Sequence, residues 1–157
     1  ALSDDASALR RWNNYWLATR ESAELRAEAL NMGAALRRIL PDAGYASDAA
    51  LARLGDMAEI SYATAFAYAS ARAGMQRREA LLAYLWVWLE GQVLAAMKLI
   101  PLGQSAGQTM LNELIPAIEV VAAAAPGISD DELTNFAPGF AVASAQHETQ
   151  YSRLFRS

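Results

Sequence analysis

Cysteine is absent from this sequence, and lysine and histidine occur once each, as Lys98 and His147. Without cysteine there are no disulfides, thiolate metal sites or thiol nucleophiles. A single imidazole excludes a multi-histidine metal site and leaves one candidate base. Charge is sparse as well: 19% of the 157 residues are Asp, Glu, Lys or Arg, and the formal net charge is −4. That sign argues against non-specific nucleic-acid binding, which draws on basic surface. The sequence also lacks Asn-Gly and Asp-Gly hairpin turns and any run of alternating β-branched residues, so no sheet is expected.

What is present is apolar and helix-forming. Hydrophobic residues make up 54% of the chain, too many for a disordered protein. Ala, Leu, Arg, Glu and Met, all strong helix formers, dominate. The first helix is expected after Ser3, with Leu9, Trp12 and Trp16 as core residues and a weak point at Thr19–Ser22. A second runs from about Ser22 to Leu40, where Pro41 stops it; its apolar stripe is Leu25, Ala29, Met32, Leu36 and Ile39 or Leu40. A third spans about Ala49 to Arg72 and ends near Gly74. The fourth, about Arg77 to Leu99, is apolar on nearly all faces and is expected to be the enclosed central helix. The fifth spans about Ser105 to Ala124, with Pro116 set to kink or divide it, and the last about Phe140 to Leu154. The expectation is an all-α fold, one globular domain over residues 1–157, of about five or six packed helices.

The N-terminal ALSDDASALRRW lacks the basic start and apolar middle of a signal peptide. The most membrane-like stretch, Ala80–Ile100, carries Glu90, Gln92 and Lys98, and its uncharged part is too short for a span. A soluble, cytoplasmic protein without a membrane partner is expected.

Few constellations promise chemistry. HETQY at His147–Tyr151 starts like a zinc-protease motif, but Tyr151 stands where the second imidazole is required. His147 and Tyr151 instead read as a structural or interface pair one helical turn apart. Gly103-Gln104-Ser105-Ala106-Gly107 lacks the Gly-Lys-Ser/Thr ending of a phosphate loop and reads as a tight helix corner. Ser144 and His147 share a helix face, yet nothing marks an oxyanion hole or an orienting acid. Glu21, Glu24 and Glu28, interleaved with Arg20 and Arg26, read as solvated or intrahelical ion pairs. Trp86 and Trp88 point in different directions from one helix, one to the core and the other to a second surface. The tail Tyr151-Ser152-Arg153-Leu154-Phe155-Arg156-Ser157 is rich in the Tyr and Arg of binding hot spots. It reads equally as a docked helix end or an interaction tail. No cofactor and no enzyme activity is expected.

Three stretches carry a resemblance. PLGQSAGQ at Pro101–Gln108 and SAQHETQYSRLFRS at Ser144–Ser157 closely resemble the urease accessory protein F family, and TRESAELRAEALNMGAAL at Thr19–Leu36 is similar to its middle segment. Family members carry a further N-terminal segment, so the sequence looks like the middle and C-terminal part of the family's chain. The resemblance implies an all-α, dimerising, non-enzymatic assembly factor. It implies partnership with urease accessory proteins D/H and the GTPase G on urease apoprotein, in support of nickel insertion. An alternative it carries is a GTPase-activating regulator that uses an exposed Arg. The resemblance assigns partner docking to Tyr151, Arg153, Leu154, Phe155, Arg156 and Ser157, beside His147. Pro101, Leu102, Gly103, Gln104 and Gln108 match the internal motif, expected to shape the helix corner near an assembly surface.

Overall fold

The computed structural model describes residues 6–45, 57–135 and 137–151, and regular structure among them is all helical. The helices are α1 (Ala6–Ala18), α2 (Ala23–Ile39), α3 (Tyr62–Arg72), α4 (Arg77–Leu99), α5 (Gln104–Ala124) and α6 (Pro138–Glu148), with a short 3₁₀ turn at Ala125–Gly127. They group into two compact units, one of Ala1–Gly74 with Thr134–Ser157 and one of Met75–Leu133. The expected start of the first helix after Ser3 lies outside the described residues.

In the first unit, α1 buries Leu9, Asn13 and Leu17, four residues apart on one face. Trp12 and Trp16 fall on its flank and are half-buried, which corrects their expected core position. Trp12 meets Tyr15 edge-to-face at 5.7 Å, and the Arg20 guanidinium lies 4.3 Å from the Trp16 ring centre. The break at Thr19–Ser22 is real: Ser22 caps α2, its hydroxyl accepting from Leu25 N at 3.2 Å. The apolar stripe predicted for α2 holds only in part. Leu40, just past its end, is buried and Leu36 packs on the core, but Met32 and Ile39 are exposed. The buried residue of α2 is Gly33. A Cβ there would run into the carbonyl of Ile60, so helix and backbone meet directly.

α3 begins at Tyr62, later than expected, with residues 57–61 non-helical. Residues 49–56, expected to form the start of that helix, lie outside the described part. Local hydrogen bonding explains the late start. Ser61 Oγ accepts from Thr64 N, and the Ser61 N–H is donated to Asn13 Oδ1 rather than to a preceding turn. The core of this unit is Leu9, Leu40, Met57, Ile60, Ala65 and Tyr68. Gly74, at φ 74°, closes the end of α3 in the left-handed region that glycine tolerates.

The second unit is a hairpin of α4 and α5. Ile100 is extended before Pro101, as a residue preceding proline prefers, and Gly103 opens α5. Gly107 packs against the Met97 side chain, and Val93, Gly107 and Leu111 are buried. Pro116 lies inside α5 without dividing it. The expectation that α4 is enclosed is corrected: Val93 is its one buried residue, and Trp88 is 59% exposed. A two-helix hairpin gives each helix one partner, which covers one face and leaves the rest open. By length and composition, Arg77–Leu99 and Gln104–Gly127 are both long and apolar enough to cross a membrane.

Candidate interaction surface

α6 places the one histidine. Its half-buried residues are Ala141, Ser144, His147 and Glu148, spaced as one helical stripe, while Phe140 and Val142 are exposed. The usual arrangement is inverted: the polar stripe turns inward and large apolar groups face water. The stripe meets the start of α2. Ser144 Oγ and Ser22 Oγ are 2.7 Å apart, and Glu148 Oε1 accepts from Ala23 N at 2.5 Å. His147 Nδ1 lies 2.6 Å from Glu24 Oε2. Just before α6, Asn135 Nδ2 donates to Thr19 O at 2.9 Å.

Helix electrostatics favour this seam. The N-terminal turn of α2 exposes N–H groups that no carbonyl within the helix can reach. Ser22 and Glu148 each satisfy one of them. Glu24 lies in that positive first turn, and His147 lies in the negative last turn of α6. Both charges of an ionised pair are thereby placed at the helix ends that stabilise them.

The expected pairing of His147 with Tyr151 is corrected. α6 ends at Glu148, so the one-turn spacing does not extend to Tyr151, which is fully exposed. The expected helical continuation to Leu154 is shortened for the same reason, and Ser152, Arg153, Leu154, Phe155, Arg156 and Ser157 lie outside the described residues. Ser144 and His147 do share a face, but each bonds to α2, not to the other. Two of the charges read as solvated or intrahelical, Glu24 and Arg26, instead pair outside their helix. Arg26 pairs with Glu59 at 2.5 Å, and Glu24 with His147.

The internal motif forms the corner of the α4–α5 hairpin. Pro101 and Gly103 are exposed, Leu102 is half-buried, Gln104 is the first residue of α5, and Gln108 Nε2 donates to Asn112 Oδ1 at 3.1 Å. His147 belongs to the first unit and this corner to the second. Around the hairpin, Trp88, Leu94, Val120 and Val121 are each at least half exposed. Sequence reasoning missed Ser22, Glu148 and Asn135 as partners of distant groups. The helix start near Ser22 was visible, but nothing local marks a bond across 122 residues.

Among the described residues, no group of three or more His, Asp or Glu side chains gathers as a metal cluster. The class is an all-α protein that leaves large apolar side chains exposed on its helices. The chain belongs to the UreF family, whose profile matches residues 1–115, a range that includes the internal motif and stops before α6. It is 46% identical over 154 residues to the urease accessory protein UreF of Dechloromonas aromatica (strain RCB), covering 98% of this chain and 68% of that one. Against UreF of Azoarcus sp. (strain BH72) the identity is 46% over 159 residues, covering 100% and 68%. Against UreF of Cupriavidus metallidurans it is 44% over 162 residues, covering 99% and 69%. α6 and its seam lie within these longer matches.

Proposed function

We propose that this chain is a non-enzymatic assembly factor in urease maturation. In this reading it acts in the cytoplasm as a homodimer and joins urease accessory proteins D/H and the GTPase G to urease apoprotein for nickel insertion. The observation that carries it is similarity along almost the whole chain to proteins named urease accessory protein UreF. The exposed apolar side chains of the hairpin support it, because large apolar surface left in water is characteristic of a surface that meets a protein partner. The chemistry of the chain fits as well. Nickel favours imidazole and thiolate donors, whereas the chain has no cysteine, and its single imidazole is engaged by Glu24. A scaffold for partners that hold the metal needs neither donor.

The test is light scattering after size exclusion, with the chain mixed with accessory protein D/H. Matched runs use the full chain and a version ending at Gln150, which keeps α6 and its seam. A complex that forms with the full chain and is lost on truncation, with helicity unchanged, supports docking through Tyr151–Ser157. Equal binding by both versions moves the docking site away from the tail. No complex with either version overturns the partnership.

A further inference from the structure

The contacts of α6 differ in kind from those of the other helices in its unit. α1, α2 and α3 meet through Leu9, Leu40, Ile60, Ala65 and Tyr68. α6 has no fully buried residue, and its half-buried stripe meets α2 through two hydroxyls, a carboxylate on a backbone N–H and an imidazole–carboxylate pair. An attachment made chiefly of hydrogen bonds, with Ala141 as the one half-buried apolar residue of α6, has a small net free energy, since water competes for the polar groups. Such an element opens locally without unfolding the core.

One of those contacts depends on a proton. With His147 neutral, Nδ1 donates to the Glu24 carboxylate in one tautomer and meets it acceptor to acceptor in the other. With His147 protonated, Nδ1 always carries the proton and the hydrogen bond becomes an ion pair as well. The imidazolium also gains from the negative end of α6, and Glu24 from the positive end of α2. We propose that α6 is a proton-operated clasp: protonation of His147 fastens the end of α6 to the first turn of α2, and loss of that proton loosens it. Opening the clasp uncovers the α2 N-terminus and frees the base of the tail that begins at Tyr151.

The surrounding charges fix the shape of the response. From α2 the imidazole is met by Glu24, with Arg20 and Glu21 before it in the chain and Glu28 one turn after. On its own helix Glu148 is adjacent, and Tyr151 follows beyond the helix end. Acid strong enough to protonate Glu24 and Glu148 removes the pair and the Ala23 cap together, so the clasp loosens on that side too. The proton-dependent contact is that of His147, the only histidine in the chain.

The experiment is amide hydrogen exchange on the full chain at pH 6 and pH 8, corrected for intrinsic exchange, in wild type, His147→Gln and Glu24→Gln. The pair is partly exposed, with side chains 40% and 35% accessible, so the effect is that of a surface ion pair. In wild type, protection of the α6 amides falls about two- to fivefold from pH 6 to pH 8, while α3 amides do not change. In both variants the α6 ratio is close to one. The clasp is overturned by a wild-type ratio of one, by an equal loss in α3, or by a fall that persists in His147→Gln. It is overturned equally if Glu24→Gln retains the fall, because the proton then acts on α6 alone.

Discussion

The Oδ1 atom of Asn13 accepts a hydrogen bond from the backbone N–H of Ser61 at 2.8 Å, while its Nδ2 donates to the carbonyl of Glu59 at 2.9 Å. One buried amide on α1, 1% exposed, thus satisfies both polarities of a non-helical strip that precedes α3. It holds that strip against α2 at the point where Gly33 admits the Ile60 carbonyl. Asn13, Gly33 and Ser61 together decide where α3 starts.

Asn13→Ala removes both partners and leaves a buried N–H and a carbonyl unpaired. An unsatisfied buried polar group costs about 1–3 kcal/mol, so urea denaturation is expected to show a loss of at least that size. A variant within about 0.5 kcal/mol of wild type would show that water replaces the amide without cost.

Two glycine substitutions are expected to act in opposite directions. Gly33→Ala drives a Cβ into backbone atoms of Ile60 and Ser61, which cannot move as a side-chain tip can, and overpacking of this kind costs about 1–3 kcal/mol. Gly91→Ala, within α4, meets nothing within 4 Å and gains about 0.5–1 kcal/mol from helix propensity. Thermal melting of the pair checks both signs.

On the hairpin, stability and surface are separable. Leu111 is 9% exposed, and Leu111→Ala is expected to cost about 2–3 kcal/mol. Val120, at 69% exposed, and Trp88 at 59% have little to lose: Val120→Ser and Trp88→Gln are expected to change the stability of the isolated chain by about 0.5 kcal/mol or less. Their effect is expected in association, as a smaller mass by light scattering. A large loss of stability in either would mean that these side chains are covered in solution.

Glu132 offers a pH-dependent check on a local cap. Hydrogen bonds from the Ser129 hydroxyl and the Ser129 backbone N–H hold its carboxyl below the usual carboxylate range. A depressed folded value means that the stabilisation is complete above the unfolded carboxylate range and is lost as pH falls through the folded one. In a carboxyl NMR titration, Ser129→Ala is expected to move Glu132 back towards its ordinary range. An unmoved titration would assign the shift to the backbone alone.

Much of the fold was legible because helix ends are written within a few residues. Pro41 stops α2, which starts close to the expected Ser22, Pro101 ends α4, and the bounds of α4 matched the expectation of Arg77 to Leu99. The burial of α4 was not legible. Its apolar circumference is the same in a hairpin as in an enclosed helix, and sequence does not state how many neighbours a helix has. Of the candidate surface, the tail motif stood out by composition, while the role of His147 did not. Its partner Glu24 lies 123 residues away and read equally well as a solvated carboxylate.

By itself, the sequence determined that the chain is helical, where most helices end, and how little chemistry it carries. Each follows from propensity, from groups within one turn of a helix end, or from a residue type that is absent. Only the tertiary structure decided that Asn13 is a buried clamp, that Gly33 is a point of backbone contact, and that α6 presents its polar stripe inward to α2. Those outcomes depend on the path of the chain between distant segments, where a few hydrogen bonds between groups over a hundred residues apart select the face a helix presents.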